Sequence, residues 1–177
     1  MVTDIMIDLE TLDTAVTAKI LSIGVCAFNA STGEIFSSTE SAVSLDGQET
    51  RTVNHSTFQW WMNQSEQARG SVTPDDPIKL EKALRTLSDV FPRGARVWGN
   101  GATFDISMLE HAFDQYGSRA PWDFRNIRDM RTMVEIGQVI TGQDLRSKVE
   151  NTGTHHSAAD DALWQAKVIC EIWKVLS

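Results

Sequence analysis

Three segments near the start of the chain have the apolar and β-branched content of strands. They span residues 3–9, 20–28 and 34–43, and the turn-forming sequence NASTG separates the second from the third. Val, Ile and aromatic side chains favour a pleated, half-buried surface, and a short turn joins neighbouring strands in opposite directions. The pattern therefore predicts an opening meander of three antiparallel strands.

Helical spacing of apolar residues dominates the rest of the chain. Ser56, with Gln59 three residues further on, has the spacing of a capping box at the start of a helix. Asp76 followed by Pro77 predicts the start of a second helix, which Pro92 ends.

Short strands and helices alternate in the second half of the chain. Two strands and three helices are predicted, at 95–101, 103–117, 124–128, from about 130, and at 157–174. Thr103 is the expected N-cap of the first of these helices, and Ser157 with Asp160 has the spacing of a capping box at the start of the last. Strands in a run, followed by strands alternating with helices, indicate an α/β protein with a mixed sheet and helices packed against it.

The composition is that of a globular protein with one domain, predicted to span residues 1–177. No apolar run approaches the roughly 20 residues that cross a bilayer, and the amino terminus lacks the layout of a signal peptide. Cys26 and Cys170 lie in apolar surroundings without metal-ligand spacing, which is typical of buried thiols in a reducing compartment. We therefore expect a cytoplasmic protein without membrane contact.

The formal net charge of -8 argues against a protein that binds nucleic acid through a basic face. The net charge does not exclude an enzyme that approaches a phosphodiester through bound cations. Carboxylates that hold metal count as negative in the formal charge, while the loaded site is electropositive.

Two acids close the first predicted strand, in the sequence IMIDLETL. Asp8 and Glu10 are two positions apart, so their side chains lie on the same face of a strand. Like charges this close repel, and neither group ionises readily unless something positive lies between them. Either water solvates the pair at a strand end, or a metal ion binds between them.

A third acid occupies an apolar helix face. Asp105 lies four residues before Leu109, in a stripe that continues through Ala112, Phe113 and Tyr116. Burying a carboxylate without a partner is costly. Asp105 therefore either meets a partner at a site or accepts hydrogen bonds in the first turn of its own helix.

The sequence HHSAADDALWQA near the carboxyl end holds a third group of candidates. The predicted capping box accounts for Asp160 and leaves Asp161 unexplained, close to the helix face of Gln165. His156 precedes the helix on a loop. It is either part of a site or an ordinary exposed histidine without a role.

Together, the separated carboxylates and the histidine favour a site for hard cations. Carboxylate oxygens suit Mg²⁺ or Mn²⁺, whereas Zn²⁺ selects more His or Cys ligands. Two such ions about 3.5–4 Å apart clamp a phosphodiester during hydrolysis. A histidine with a pKa near neutrality takes a proton from the attacking water. We therefore predict a two-metal centre for phosphodiester chemistry.

The order of these residues resembles the three sequence motifs of the DEDDh 3′–5′ exonucleases. The matching motifs are Asp8-x-Glu10, Asp105 in GNGATFD, and His156 five residues before Asp161. The resemblance runs from residue 4 to about 170, and relatives include ribonuclease T, oligoribonuclease and the proofreading subunit of bacterial replicative polymerases. The sequences HSTFQWWMNQS and DMRTM are also similar to a compact branch of phage and bacterial exoribonuclease-like proteins.

This resemblance implies a ribonuclease H-like fold, in which a five-stranded mixed sheet with its first three strands antiparallel is flanked by helices. The implied reaction is hydrolysis of single-stranded RNA or DNA from the 3′ end to nucleoside 5′-monophosphates. The implied ligands of two Mg²⁺ or Mn²⁺ ions are the motif carboxylates, Asp8, Glu10, Asp105 and Asp161. His156 is the implied general base, since His155 lies six residues before Asp161 and does not fit the family spacing.

Residues beside the motifs are candidates for binding the substrate. By the resemblance, Thr11 and Leu12 would contact the terminal base and sugar, although Leu12 could equally belong to the core. Phe104 would stack on a base or pack against the sheet, and Asn100 would orient the second motif. The expected partner is a single-stranded 3′ end, and because ribonuclease T and oligoribonuclease are dimers, a homodimer is a further expectation.

The adjacent residues Trp60 and Trp61 point about 100° apart on a helix. One is expected to pack in the core. The other is a candidate surface on which a base of a single strand would stack.

Two other functions are compatible with parts of the sequence. DLETL resembles the Asp-x-Asp-x-Thr nucleophile loop of phosphatases of the haloacid dehalogenase type, but Glu10 stands in place of the second Asp. Formation of an aspartyl-phosphate would identify such an enzyme. A nuclease fold with weak or lost catalysis would instead serve as a nucleic-acid-binding module, and the filled motif positions argue against it.

Overall fold

A computed structural model describes residues 1, 3–73, 75–154 and 156–177. Its strands are β1 (Asp4–Thr11), β2 (Ile20–Asn29), β3 (Glu34–Ala42), β4 (Arg96–Gly99) and β5 (Ile127–Asp129). They form one five-stranded sheet with the order β3-β2-β1-β4-β5. The first three strands pair antiparallel, and β4 and β5 run parallel to β1. The predicted mixed sheet with its opening antiparallel meander is confirmed.

Helices cover both faces of this sheet. In the described residues they are α1 (His55–Met62), α2 (Glu66–Ser71), α3 (Leu80–Val90), α4 (Ala102–Gln115), α5 (Met130–Thr141) and α6 (Ala158–Leu176). Short 3-10 turns at Phe124–Asn126 and Leu145–Lys148 precede β5 and α6. None of the described helices has the length and hydropathy that spanning a membrane requires.

Alternation along β1 separates two hydrophobic cores. Ile7 and Leu9 face one core together with α3 and α4, whereas Met6 faces a second core together with α5 and α6. Asp8 and Glu10 continue the Met6 face, so the strand carries its acids towards α6.

Two of the predicted N-caps are displaced by a neighbouring residue. At the start of α1, Asn54 replaces Ser56, because its side-chain oxygen accepts the Ser56 backbone N–H at 2.9 Å. At the start of α4, the chain turns at Gly101 with a φ of 98°, a conformation that favours glycine. The helix therefore begins before Thr103.

The predicted start of α3 at Asp76 is also wrong. Ile78 forms a parallel bridge with Val43 beside the end of β3, which keeps the chain extended past Asp76. The helix begins at Leu80 after Lys79, whose side chain makes no capping hydrogen bond. The 6-residue α2 is too short to show a helical period in the sequence, and no helix is predicted there.

The capping box predicted at the start of α6 is wrong because its members bind elsewhere. Ser157 precedes the helix without a side-chain capping bond, and its hydroxyl donates to Glu40 Oε2 at 3.1 Å. Asp160 Oδ2 accepts the Thr154 backbone N–H at 2.8 Å. Ser157 thus bonds to strand β3 and Asp160 to the preceding loop, whereas their spacing predicts that both bond within the first turn of the helix.

Asp129 caps two helices at the end of β5. Its Oδ2 accepts the Ala102 backbone N–H of α4 at 2.7 Å, and its Oδ1 accepts the Thr132 backbone N–H of α5 at 2.9 Å. Two helix starts are therefore tied to one strand end.

Asp4 joins the start of β1 to β4 and to the turn after β2. Its buried carboxylate accepts hydrogen bonds from Arg96 Nε at 2.6 Å, Trp98 Nε1 at 2.7 Å and the Ala30 backbone N–H at 3.2 Å. The Arg96 guanidinium also lies over the Trp173 ring of α6, 4.9 Å from its centroid. Burial alone would raise the pKa of Asp4, but these hydrogen bonds, above all that from Arg96, lower it below its usual value.

Replacing Asp4 with asparagine removes the charge that compensates Arg96. We expect Asp4→Asn to lower the free energy of unfolding at neutral pH by about 3 kcal/mol, because a buried ion pair that loses one partner leaves the other uncompensated. The pKa of Asp4 is lower in the folded state, so its contribution is present at neutral pH and is lost as the pH falls through the folded value. Urea unfolding at neutral pH and near pH 3 measures the difference in free energy of unfolding between the wild type and Asp4→Asn. This difference should be smaller near pH 3.

Asp144→Asn is the matched control, because Asp144 pairs with Arg146 at 2.7 Å on an exposed surface. Exposed ion pairs contribute little to stability, so the unfolding midpoint should stay at the wild-type value. An Asp4→Asn protein as stable as this control at neutral pH would contradict a stabilising role for the buried pair.

Candidate active site

The end of β1 places Asp8 and Glu10 beside α6. Asp8 Oδ1 accepts a hydrogen bond from Gln165 Nε2 at 2.7 Å. Glu10 is 8% exposed, and Asp8 is half-buried. The pair is therefore enclosed by the fold and is not a solvated strand end.

Asp105 reaches the same strand from the opposite layer of helices. It lies in the first turn of α4, is 3% exposed, and its Oδ1 accepts the Leu9 backbone N–H at 3.1 Å. A methyl group at Gly99 would lie 3.2 Å from Asp105 Oδ2, so a glycine at the end of β4 permits the close approach. Asp105 thus lies in the first turn of its own helix and also accepts a hydrogen bond from β1, so both alternatives hold.

Asp161 and His156 approach from the start of α6. The Asp161 carboxylate accepts the His156 backbone N–H at 3.0 Å, and His156 Nδ1 lies 3.8 Å from Glu10 Oε1. Ligand atoms of Glu10, His156 and Asp161 all lie within 4.8 Å of one another. The structure thus brings together residues 10, 156 and 161, while residue 155 lies outside the described residues.

Aromatic side chains of α1 border His156. The Trp60 ring meets the imidazole edge to face, with 4.7 Å between the centroids. Trp61 is 5% exposed, and its Nε1 donates to the Thr11 carbonyl at 2.9 Å, which fixes α1 to the end of β1. The prediction that one of the two tryptophans belongs to the core is confirmed for Trp61, while Trp60 is 41% exposed.

Burial and mutual repulsion dominate the electrostatics of Asp8, Glu10 and Asp105. Burial raises the pKa of Glu10 to about 8, with further increases from the charges of Asp161, Glu40 and Asp105. Burial also raises the pKa of Asp105 to about 7, although the Leu9 N–H opposes the increase.

Asp8 follows the same pattern. Burial is the largest cause that raises its pKa well above the usual value, followed by the charges of Asp105 and Glu10, and the hydrogen bond from Gln165 partly offsets them. A bound divalent cation would reverse these shifts by supplying positive charge where the oxygens converge. The donor set therefore fits a hard metal ion.

A cleft of about 490 Å³ opens beside Glu10, between the end of β1 and α1. Its lining includes two of the predicted substrate-binding residues, Thr11 and Phe104, together with Trp60 and Trp61. The walls of the cleft are mostly apolar, and a carboxylate lies at one end.

The two other predicted substrate-binding residues lie away from this lining. Leu12 packs against the small cluster of Leu21, Trp61 and Val72, in keeping with its core alternative. Asn100 follows β4, and its Oδ1 accepts a hydrogen bond from Arg131 Nε at 3.4 Å.

Gln165 and Glu40 are residues at the site to which the sequence analysis assigns no role. Gln165 lies one helical turn after Asp161, and this spacing was the available indication. Glu40 comes from β3, and no local pattern predicts that it meets α6.

Comparison with known proteins identifies the family. A profile of the 3′–5′ exoribonuclease Rv2179c-like domain matches residues 3–173. The chain belongs to this family of 3′–5′ exonucleases. The Rv2179c-like exonuclease is 26% identical over 162 residues to an exodeoxyribonuclease of Enterobacteria phage T4, with 75% of this chain and 70% of the phage protein covered.

Solved nuclease structures share the fold at low identity. The cell-death related nuclease CRN-4 has a TM-score of 0.71 at 12% identity, with 97% of this chain and 64% of CRN-4 covered. The nuclease domain of 3′hExo, a DEDDh family member bound to rAMP, has a TM-score of 0.65 at 13% identity, with 97% and 92% covered. The predicted 3′–5′ exonuclease class is confirmed by the family, and the predicted ribonuclease H-like fold is confirmed by these structures, one of which is a DEDDh family member.

Replacing Glu10 with glutamine should stabilise the metal-free exonuclease. The pKa of Glu10 is about 8 in the folded state and lower in the unfolded state, so the free energy of unfolding falls as the pH rises towards 8. Glutamine removes this loss, and we expect a gain of about 1–3 kcal/mol near pH 9 and little gain near pH 5. Thermal or urea unfolding in EDTA at both pH values measures the effect.

Two comparisons separate this effect from general stabilisation. Saturating Mn²⁺ should raise the unfolding midpoint of the wild type more than that of Glu10→Gln, because the cation offsets the same repulsion. Glu49→Gln, which alters an exposed carboxylate, should change neither measurement. A Glu10→Gln protein less stable than the wild type near pH 9 in EDTA would contradict the electrostatic account.

Proposed function

We propose that this exonuclease uses two Mg²⁺ or Mn²⁺ ions to remove nucleotides from the 3′ end of single-stranded nucleic acid. The expected metal ligands are the motif carboxylates, Asp8, Glu10, Asp105 and Asp161. The observation that carries the proposal is the convergence of Glu10, His156 and Asp161, whose ligand atoms lie within 4.8 Å of one another.

The oxygen donors and their raised pKa values support binding of hard divalent cations. When bound, such ions polarise the phosphate and lower the pKa of a water molecule. The chain supplies the orientation: Gln165 donates to Asp8, and the Leu9 N–H donates to Asp105. The Schizosaccharomyces pombe Pop2p structure, a Mg²⁺- and Mn²⁺-bound form, has a TM-score of 0.64 to this chain.

His156 is the proposed general base. A neutral imidazole nitrogen takes the proton of a water whose oxygen attacks the terminal phosphorus. Glu10 Oε1 lies 3.8 Å from His156 Nδ1, and when a bound cation keeps Glu10 ionised, its negative charge would favour the imidazolium that forms. The bond from phosphorus to the 3′ oxygen of the preceding nucleotide breaks, that oxygen takes up a proton to become the new 3′-hydroxyl of the strand, and the other product is a nucleoside 5′-monophosphate.

The cleft beside Glu10 is the proposed site for the terminal nucleoside. Phe104 and Trp60 supply aromatic surfaces, and stacking on such surfaces tolerates every base. The sugar preference is open between RNA and DNA: the family is described by exoribonuclease activity, while the phage T4 relative is an exodeoxyribonuclease. A parallel assay on both sugars settles this preference.

The test of the reaction uses 5′-labelled single-stranded RNA and DNA oligonucleotides with Mg²⁺ or Mn²⁺. We expect a ladder that shortens from the 3′ end and disappears in EDTA. His156→Ala should lower kcat by about 10²–10⁴-fold, since it removes the general base. Asp161→Asn should lower activity by removing a ligand charge.

Matched controls exist beside both residues. Asp160→Asn keeps an acceptor for the Thr154 N–H and should retain wild-type activity, as should His55→Ala at the exposed start of α1. A wild-type protein that binds Mn²⁺ in calorimetry but degrades neither strand would refute the proposed reaction.

Phe104→Leu tests the nucleoside site. Leucine keeps an apolar contact with the core but loses the ring, so KM should rise about tenfold if stacking contributes roughly 1.4 kcal/mol. The value of kcat should change little, because the ring contacts the base and not the reacting phosphate. Phe124→Ala, at a site 69% exposed, is the control, and equal KM values for the two variants would exclude Phe104 from the nucleoside site.

A further inference from the structure

Three residues on adjacent strands form a row that leads to the start of α6. Asp8 of β1 is in register with Gly24 of β2, which is in register with Glu40 of β3. Residues in register across a sheet project from the same face. The row therefore carries a carboxylate on each side of a glycine, and all three positions face α6.

Gly24 allows the first turn of α6 to pack directly against the sheet. A methyl group at this position would overlap the carbonyl group of Ala158 and crowd the backbone nitrogen of Ala159. The helix start therefore lies directly on the sheet, between Asp8 and Glu40. The distance between the start of α6 and the sheet determines how closely His156 and Asp161 approach Glu10.

Strand β3 holds this turn through two side chains. Glu40 Oε2 accepts the Ser157 hydroxyl at 3.1 Å and the Ala159 backbone N–H at 3.3 Å. Ser38, two residues earlier on the same face, donates its hydroxyl to the Ala159 carbonyl at 2.9 Å. The capping role that Ser157 does not perform for its own helix thus belongs to a carboxylate on another strand.

The placement of Glu40 is unfavourable for a residue that serves stability alone. Its Oε1 is buried and, in the described part of the chain, has no hydrogen-bond partner. Its negative charge also faces the carboxylate cluster and raises the pKa of Glu10. A glutamine side chain would keep one acceptor for the helix start without the repulsion from Glu10.

We propose that Glu40 is a positioning residue of this exonuclease, which fixes the first turn of α6 on the sheet and thereby places His156 and Asp161 against Glu10. The inference rests on the metal and general-base roles proposed above. Glu40 acts through Ser157 and Ala159 and is not itself a group that touches the substrate.

The variants Glu40→Ala and Glu40→Gln test this role in the full chain. Alanine removes both acceptor oxygens, and kcat on a labelled single-stranded oligonucleotide should fall by about 10- to 100-fold with KM little changed, as for groups that orient metal ligands. Glutamine keeps one acceptor for Ser157 and Ala159, and should recover most of kcat. Thr39→Ala, an exposed neighbour on the opposite face of β3, should match the wild type.

Calorimetry with Mn²⁺ alone provides a readout that needs no nuclease activity. Glu40→Ala should bind Mn²⁺ about tenfold more weakly than the wild type, because Asp161 is displaced. If the wild type binds Mn²⁺ but cleaves neither RNA nor DNA, the proposed function fails. The Mn²⁺ affinity of Glu40→Ala relative to the wild type then tests the positioning role of Glu40 by itself.

Wild-type kcat and Mn²⁺ affinity in folded Glu40→Ala would overturn the inference, as would a glutamine variant as impaired as alanine. Circular dichroism establishes that each variant is folded at the assay temperature. If Glu40→Ala does not fold, Glu40→Asp replaces it: this variant keeps the charge but withdraws the oxygens by one methylene. Wild-type kcat and Mn²⁺ affinity in Glu40→Asp would then count against positioning, and a loss of both would support it.

Discussion

Repulsion among the carboxylates at the end of β1 is the constraint on which the rest of the site depends. Burial and neighbouring charges raise the pKa values of Asp8, Glu10 and Asp105 together. Such a cluster lowers the stability of the folded chain, so it persists only where the surrounding elements hold it in place. Its converging oxygens make the same region attractive to divalent cations. The loss of folding free energy and the capacity to bind metal have one physical origin.

The surrounding elements resist this repulsion at points away from the cluster. Asp4 ties the start of β1 to β4 through Arg96 and Trp98, and Asp129 caps α4 and α5 together. Gly24 lets α6 approach the sheet closely. Because each carboxylate comes from a rigid strand or helix, the geometry exists before any ion binds, as an accurate metal site requires.

The parts of this site that follow local periodicity were predictable from the sequence. Asp8 and Glu10 follow from the two-residue period of a strand, and Asp105 from the apolar stripe of its helix. The start of α6 was not predictable from the sequence. Ser157 satisfies every local rule for a capping box, yet it bonds to Glu40, 117 positions away. The pairing of β2 with β3 contains an irregularity between Ala27 and Phe28, and a register of this kind is not visible in a single sequence.

His156 is held in a different way from the carboxylates. It lies on a loop with a φ of 67°, a conformation that few residues other than glycine adopt, so contacts from several elements must maintain it. Asp161 accepts its backbone N–H, Ser71 of α2 donates to its carbonyl at 3.0 Å, and Trp60 borders its ring.

Trp60 also lines the cleft proposed for the terminal nucleoside. A nucleobase in that cleft would therefore contact the same indole that borders the proposed general base. Occupancy of the cleft would then bear on the position of the imidazole, whereas the sheet and helices hold the carboxylates. Under the proposed function, binding of a flexible strand end and placement of the general base His156 would both involve the Trp60 side chain.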